Sequence, residues 1–139
     1  IDFVQDNESF SSKGVLRGLH FQTGEYAQAK LVRVIKGMVL DVVVDLRKDS
    51  PTFSKHFSIE LSEDNKKQLF VPRGFAHGFI VLSETAVFSY KCDNFYNSAS
   101  EQGIRYDDPS LGIDWKLPTK EFIVSEKDLV LPTLSTLSL

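Results

Sequence analysis

The sequence has little cysteine and no long apolar run. Cys92 is the single cysteine among 139 residues, so a disulfide framework is excluded and a reducing compartment is favoured. No run of apolar residues approaches the roughly 20 that a membrane-spanning helix needs. A charged stretch followed by an apolar one, which would mark a signal peptide, is also missing. The sequence therefore predicts a cytoplasmic protein with no membrane partner.

Charge of one sign is not in large excess either. Sixteen Lys and Arg residues stand against nineteen Asp and Glu residues, which gives a net charge of −3. Nucleic-acid-binding domains and polybasic membrane-binding segments both depend on clustered positive charge. We therefore expect no nucleic-acid partner.

Alanine, the best helix former, is scarce, and residues that suit strands are abundant. Five Ala stand against thirteen Val, seven Ile and sixteen aromatic residues, a balance that favours β structure. No linker and no repeat divides the chain, so residues 1–139 are predicted to form one all-β domain, a sandwich or barrel. The predicted strands are residues 14–22, 30–35, 38–46, 53–61, 68–71, 78–82 and 86–92.

The chain opens on Ile1 rather than on a methionine. Residues 1–4 resemble the end of a strand, so we expect a preceding N-terminal segment in the full protein.

Two short connections predict hairpins. A turn at residues 36–37 would pair the strands on either side and place Lys30 opposite Val43. A turn at residues 84–85 would place Phe79 opposite Tyr90. Because side chains alternate along a strand, His77 and Tyr90 would then share one face that is otherwise aromatic and aliphatic.

Lys30 is predicted to lie on a sheet face that is rich in valine. An isolated ammonium group buried there would be costly. Lys30 therefore either pairs with Asp41 or Asp45 or lies at the mouth of a barrel. Alternatively, it lies on an edge strand and extends its amine to water. Spacing alone leaves these possibilities open, and the edge-strand arrangement is the more common.

Two segments place histidine next to glycine. Arg17 and His20 are three residues apart and would point to opposite faces of a regular strand. Gly18 between them could host a bulge that brings both side chains into one cavity. His77 follows a sharp turn at residues 72–74. The alternative for each histidine is a hydrogen-bonded core residue, and for Arg17 an exposed one.

The spacing of glycine, proline and histidine in these two segments resembles the paired motifs of the cupin superfamily. Metal-binding cupins continue the first motif as His-x-His, whereas this chain has Gln22 at the second position. Two histidines without a third ligand fall short of a catalytic transition-metal site. We therefore predict no metal.

Nearly the whole chain, from about Val4 to Pro132, resembles the dTDP-4-dehydrorhamnose 3,5-epimerase family. The resemblance rests on residues 14–22 (GVLRGLHFQ), 29–33 (AKLVR), 45–53 (DLRKDSPTF), 71–79 (VPRGFAHGF), 100–103 (SEQG) and 125–128 (SEKD), in the family's order and spacing. It implies an antiparallel jelly-roll barrel of the cupin type that works as a homodimer without a cofactor. The implied reaction inverts C3 and C5 of dTDP-4-keto-6-deoxy-D-glucose and gives dTDP-4-keto-L-rhamnose, a precursor for cell-surface polysaccharide.

The same resemblance implies roles for individual residues. His20 would be the catalytic base and Asp128 its partner. Lys30 would stabilise the enolate, and Tyr90 would be the acid on the opposite face of the sugar. The nucleotide sugar would be bound by Arg17, His77, Gln5, Asn7, Glu101 and Lys127.

These residue types suit the reaction. A histidine can take a proton next to a ketone near neutral pH, and a fixed cation stabilises the charge that collects on the C4 oxygen. A guanidinium suits a diphosphate. Since the sugar arrives already oxidised at C4, no nicotinamide is needed, and the chain has no Rossmann glycine pattern.

Three alternatives remain open. The chain could be a C3-only or C5-only epimerase, or act on another dTDP-keto sugar. It could be a metal-dependent cupin enzyme. It could also be a sugar-binding barrel without catalytic activity.

Overall fold

The computed structural model describes residues 1–139 and contains ten strands and one short α-helix. Antiparallel strands predominate, which confirms the all-β prediction. The elements are β1 (Gln5–Ser12), β2 (Val15–Gln22), β3 (Lys30–Lys36), β4 (Met38–Asp45), β5 (His56–Ser62), β6 (Gln68–Val71), β7 (Phe75–Val81), β8 (Thr85–Cys92), β9 (Glu101–Gly103), β10 (Ile123–Val124) and α1 (Glu126–Leu129).

The strands form two sheets that face each other. One sheet has four strands in the order β1-β8-β3-β6, and the other has six, in the order β10-β2-β7-β4-β5 with β9 also paired to β2. All the pairings are antiparallel except the short one between β10 and β2. The β4 strand runs between β7 and β5 and is almost wholly buried. That burial on both faces explains its nearly continuous apolar sequence.

Two apolar clusters lie on the two faces of the six-stranded sheet. The inner cluster fills the space between the sheets and contains Val32, Val34, Val39, Leu61, Phe79, Val81, Ala86 and Phe88. The outer cluster lies under the C-terminal part of the chain and contains Leu16, Leu19, Leu40, Val42, Val44, Leu46, Ala76, Ile80, Ile104, Leu111 and Trp115. The sheet that carries the candidate site is therefore supported from behind by the C-terminal segment.

The two predicted hairpins are wrong, although the predicted faces are right. Lys30 lies opposite Val71 and Cys92 rather than Val43, because the chain passes from one sheet to the other at Gly37. Gly37 has a φ of +83°, and its amide donates to Glu63. The strands β3 and β4, which were expected to be neighbours in one sheet, lie in different sheets, so their inward side chains face each other across the interior.

The second predicted hairpin fails for the same reason. Phe79 is paired with Arg17 and Asp41 in one sheet, while Tyr90 is paired within the other. The faces nevertheless meet, since the rings of Phe79 and Phe88 stack with centroids 4.3 Å apart. Alternation along each strand fixes which side chains point inward, but it does not say whether consecutive strands pair or oppose each other.

Strand β1 was not among the predicted strands. It pairs with β8 along its whole length, from Gln5 opposite Cys92 to Ser12 opposite Thr85. Its sequence, QDNESFSS, is mostly polar, as suits an edge strand of the four-stranded sheet. Polar edge strands are common because they discourage pairing with other chains, and they leave little periodic signal.

After Asn97 the sequence changes to turn residues such as Pro109, Gly112, Pro118 and Pro132, which predict short helical or irregular pieces. The chain after β9 is built from such pieces. Three-residue 3-10 helices at Thr119–Glu121 and Leu134–Thr136 accompany β10 and α1. None of the helices is long and apolar enough to cross a membrane.

Candidate active site

A cavity of about 530 Å³ lies between the two sheets. The six-stranded sheet contributes β2 and β7, the four-stranded sheet contributes β3 and β8, and residues 123–128 form the rim. The polar side chains that line the cavity are those of Arg17, His20, Lys30, His77, Tyr90, Ser125, Lys127 and Asp128. Gln5, Asn7 and Glu101, which were also predicted as site residues, lie outside its lining.

An irregularity in β2 brings Arg17 and His20 to the same cavity. Arg17 is paired with Phe79 and His20 with His77, so two residues of β2 face a single residue of β7 between these pairs. The extra residue resets the alternation of side chains. The predicted bulge at Gly18 is therefore confirmed.

His20 forms a short contact with a carboxylate from the far end of the sequence. Its Nε2 lies 2.6 Å from Asp128 Oδ1, and the Gly18 amide donates to Asp128 Oδ2 at 3.0 Å. With the carboxylate ionised, Nε2 carries the proton that Asp128 accepts, and the lone pair of Nδ1 is left for chemistry. The pair is thus arranged as a general base with an orienting partner.

Asp128 is held as an anion although it is buried. Burial acts to raise the pKa of its carboxyl, but the hydrogen bonds from His20 and from the Gly18 amide outweigh it and lower the pKa. Ser125 is the N-cap of α1, and its hydroxyl accepts a hydrogen bond from the Asp128 amide. The helix therefore fixes the backbone of Asp128 while the bulge in β2 fixes its carboxylate.

His77 also contacts an aspartate, but deeper in the barrel. Its Nε2 lies 2.7 Å from Asp41 Oδ1, and Asp41 is fully buried. Asp41 had been predicted as a partner of Lys30, and the structure instead places its hydrogen bond on His77. The other suggested partner, Asp45, forms an ion pair with Arg47.

Lys30 extends into the cavity without an acidic partner. It lies at the start of β3, between β8 and β6, so it is not the edge-strand lysine of the commoner alternative. Burial lowers the pKa of its ammonium, while nearby Cys92, Asp41 and Glu101 oppose that shift. The nitrogen lies 5.5 Å from the centre of the Tyr90 ring, within the range of a cation–π contact. A cation with no hydrogen-bonded carboxylate is free to meet an anionic oxygen.

Tyr90 comes from the same wall as Lys30. Its ring packs against Phe88, with centroids 5.9 Å apart. Burial raises the pKa of its hydroxyl, and nearby Arg17 opposes that shift. The phenol is therefore kept protonated, as a proton donor must be.

The remaining predicted residues lie around the rim. Lys127 forms an ion pair with Glu101, which also accepts a hydrogen bond from the Tyr96 hydroxyl at 3.3 Å. Gln5 donates to Asn7 at 3.2 Å and accepts from the Tyr96 amide at 2.9 Å. The structure thus brings these four predicted residues together in one network beside the cavity.

Ser125 and Tyr96 are the residues that sequence reasoning missed. The Ser-x-x-Asp spacing at residues 125–128 is a helix-cap signal that could have identified Ser125. Tyr96 lies in an irregular segment where no pattern marks it.

No three His, Cys, Asp or Glu side chains come together as potential metal ligands. His20 and His77 face each other across two strands, but each is bonded to its own aspartate.

Comparison with known proteins assigns the chain to a family. The family model of dTDP-4-dehydrorhamnose 3,5-epimerase matches residues 1–136. The chain belongs to the dTDP-4-dehydrorhamnose 3,5-epimerase family. A member from Escherichia coli K12 is 55% identical over 137 residues, which cover 99% of this chain and 74% of that protein. The resemblance stated from the sequence is therefore confirmed, and the chain is an epimerase of the isomerase class.

Solved epimerase structures share the fold. That of a dTDP-4-dehydrorhamnose 3,5-epimerase from Elizabethkingia anophelis has a TM-score of 0.95 at 61% identity, covering 96% of this chain and 74% of that one. A dTDP-6-deoxy-D-glucose-3,5-epimerase from Legionella pneumophila, solved with dTDP-4-keto-L-rhamnose, has a TM-score of 0.95 at 50% identity, covering 99% and 72%. These likenesses confirm the cupin-type jelly roll.

Proposed function

We propose that residues 1–139 form one epimerase domain that inverts C3 and C5 of dTDP-4-keto-6-deoxy-D-glucose and releases dTDP-4-keto-L-rhamnose. The observation that carries this proposal is the arrangement of the cavity walls. The six-stranded sheet supplies a histidine that is paired with a carboxylate of α1, and the four-stranded sheet supplies a cation and a phenol. The Legionella relative solved with dTDP-4-keto-L-rhamnose supports the choice of sugar.

His20 acts as the base in this proposal. A proton on the carbon next to the C4 ketone is removed by Nδ1, and Asp128 stabilises the imidazolium that forms. Both partners are fixed before the substrate arrives, since Asp128 is hydrogen-bonded to His20 and to the Gly18 amide. Preorganisation of this kind spares the transition state the cost of ordering the two groups.

Lys30 stabilises the enolate in the same proposal. Loss of the carbon-bound proton moves negative charge onto the C4 oxygen, and a positioned ammonium group favours that charge most in the transition state. The amine forms no ion pair in the chain, and its low-dielectric surroundings strengthen the interaction with an enolate.

Tyr90 returns a proton from the opposite side of the sugar. Inversion at a carbon requires removal on one face and delivery on the other. His20 and Tyr90 come from the two facing sheets, so a sugar ring lying between them meets the base and the acid on opposite faces.

The other predicted residues bind the nucleotide sugar. Arg17 lines the cavity and forms no ion pair in the chain, so its guanidinium is available to a diphosphate. His77 shapes the inner end of the cavity. The rim residues proposed to contact the nucleotide or sugar are Gln5, Asn7, Glu101 and Lys127.

No cofactor takes part in the proposed reaction. The sugar is already a ketone at C4, so the protons next to it are acidic without a further oxidation step. His20 and Tyr90 carry out the proton transfers and Lys30 stabilises the charge. Between the two inversions His20 returns its proton to water and Tyr90 regains one from water.

We propose a homodimer in the cytoplasm. The outer face of the four-stranded sheet exposes Phe10, Ile35 and Phe70 to 68%, 44% and 43%. Acidic side chains of β1 and basic side chains of β3 and β8 lie on the same face, so two copies of it can complement each other in charge. Light scattering should give a dimer mass, and Phe10→Asp with Phe70→Asp should give a monomer. A monomeric unmodified chain would overturn this proposal.

The reaction itself is tested by incubation with dTDP-4-keto-6-deoxy-D-glucose in deuterium oxide. We expect NMR to show deuterium at both C3 and C5 and the L-configured product. Exchange at one position alone would identify a single-site epimerase. One tightly bound metal ion per chain, found by elemental analysis and required for exchange, would identify metal-dependent chemistry instead.

A variant of Tyr90 separates exchange from inversion. In Tyr90→Phe the base and the enolate-stabilising cation remain, so deuterium should still enter the sugar, while the yield of inverted product should fall much further than exchange does. An equal loss of exchange and inversion would remove Tyr90 from the role of acid.

A further inference from the structure

Gly78 lies where the bulge of β2 crosses β7. Between the Arg17–Phe79 and His20–His77 pairs, Gly78 alone faces two residues of β2. A Cβ atom added to Gly78 would lie 2.5 Å from the carbonyl oxygen of Arg17. Contacts that short do not occur, so any side chain here would push the two backbones apart.

Gly18 meets Gly78 from the other strand. Gly18 has a φ of +127°, and a Cβ atom on it would lie 2.7 Å from the Cα of Gly78. The two backbones therefore touch directly, and neither strand has room for a methyl group. This contact sets how deeply the bulge sits against β7.

The depth of the bulge determines the position of Asp128. The Gly18 amide donates to one carboxylate oxygen of Asp128, and His20, two residues later, contacts the other. Both hydrogen bonds come from the bulged segment. A displacement of this segment therefore moves both contacts at once.

The missing side chain of Gly78 does not face the cavity. His77 and Phe79 point into the barrel, so Gly78 shares the opposite face with Ala76 and Ile80, which belong to the outer apolar cluster. The backbone of Gly78 lines the cavity, but an added methyl would point away from the cavity and press on β2.

We propose that Gly78 is a positioning residue of the epimerase: its lack of a side chain lets the bulge of β2 dock closely enough to hold Asp128 and His20 in catalytic geometry. The inference rests on the proposed roles of His20 and Asp128. Gly78 has no side chain that could take part in the reaction, so its proposed contribution to catalysis is indirect and acts through the position of β2.

The test is Gly78→Ala, assayed by deuterium exchange and by epimer formation. We expect kcat to fall about 30-fold, since a misplacement of about 1 Å can cost up to about 100-fold, while KM changes less than about threefold. Gly112→Ala is the control. Gly112, unlike Gly78, has a positive φ, but it has open space around it and does not line the cavity, so this variant should lose some stability and keep its kcat.

A double-variant cycle separates positioning from general damage. If Gly78 acts through the pair, Gly78→Ala should lower kcat less than about threefold in an Asp128→Ala background, because the geometry it supports is already lost. An equal loss in both backgrounds would overturn the proposal. Full activity of Gly78→Ala would do so too. Absence of activity in the unmodified chain would instead contradict the proposed function.

A second measurement needs no glycine variant, in case Gly78→Ala fails to fold. In the unmodified protein the Gly18 amide proton should be strongly downfield in NMR spectra and should follow the titration of Asp128. Asp128→Ala should abolish both signs of the hydrogen bond. A Gly18 amide that is insensitive to Asp128 would contradict the link between the bulge and the carboxylate.

Discussion

Two histidine–aspartate pairs have their histidines on the neighbouring strands β2 and β7, and they have similar distances but different surroundings. The distances are 2.6 Å for His20–Asp128 and 2.7 Å for His77–Asp41. The side chain of His20 is 26% exposed, whereas that of His77 is 7% exposed. Both histidines line the cavity, but His20 is the more accessible of the two.

The aspartates differ as well. Both oxygens of Asp128 are hydrogen-bonded, one to His20 and one to the Gly18 amide. Asp41 has one bonded oxygen, and its Oδ2 is buried with no partner. The comparison teaches that the carboxylate beside His20 is fixed at both oxygens, whereas the carboxylate beside His77 depends on that histidine alone.

Removal of His20 should have the largest effect on activity. We expect His20→Ala to lower kcat by about a thousandfold, within the range for loss of a general base. The melting temperature should fall less than in His77→Ala, because Asp128 keeps the hydrogen bond from the Gly18 amide. His77→Ala should keep far more of its kcat. A smaller loss in His20→Ala than in His77→Ala would reverse the assignment of the two pairs.

Removal of His77 should have the largest effect on stability. His77→Ala leaves the Asp41 carboxylate buried without its only hydrogen bond, a change that costs about 3 kcal/mol or more and lowers the melting temperature by about 10 °C. Adding Asp41→Ala removes the buried carboxylate that His77→Ala leaves without a partner. The double variant should therefore have a higher melting temperature than His77→Ala. If it melts lower, charge is not the reason for the loss.

Replacement of Lys30 should separate activity from stability. Lys30→Met should lower kcat about 100-fold and raise the melting temperature at pH 7 by about 3 °C, since it removes a desolvated ammonium group. Because burial lowers the folded-state pKa of Lys30, the unfolded chain binds more protons. Stability should therefore increase with pH from the folded pKa up to the normal lysine pKa.

The control for Lys30 is the pH series itself. Lys30→Met should lack that part of the increase in stability with pH. Parallel pH curves for the variant and the unmodified chain would show that the ammonium is not destabilised in the fold.

Neutralisation of Asp41 should have the smallest effect. The negative charge of Asp41 acts to raise the pKa of Lys30 against the effect of burial. In Asp41→Asn that support is lost, so the alkaline limb of the rate profile, where Lys30 loses its proton, should move to lower pH. Movement to higher pH would exclude Asp41 as a neighbour that matters to Lys30.

The sequence could predict inward-facing residues better than it could predict strand neighbours. His77, Phe79 and Tyr90 were placed on one face by alternation along a predicted hairpin, and in the barrel all three rings lie next to Phe88. The hairpins failed because both short turns lead from one sheet to the other. Nothing in a two-residue connection distinguishes a turn within a sheet from a passage between sheets.

In the candidate site, too, local features could be predicted from the sequence, whereas contacts between distant segments could not. The bulge at Gly18 could be inferred because Arg17 and His20 are out of phase. The contact between His20 and Asp128 spans 108 positions, so no local period predicts it, and only the family resemblance indicated it. The bond from His77 to Asp41 depends on which strands are neighbours, which is the part that alternation leaves open.

The parallel pairing of β10 with β2 is only two residues long, yet it joins the segment that carries Asp128 to the strand that carries His20. The same C-terminal part of the chain, from about residue 104 onward, also packs Ile104, Leu111 and Trp115 against the outer face of the six-stranded sheet. Most of the sheet precedes this segment in the chain, and closing so long a loop is a slow event. We therefore expect catalytic competence to be acquired late during folding, when the chain's last quarter docks and the barrel is already assembled.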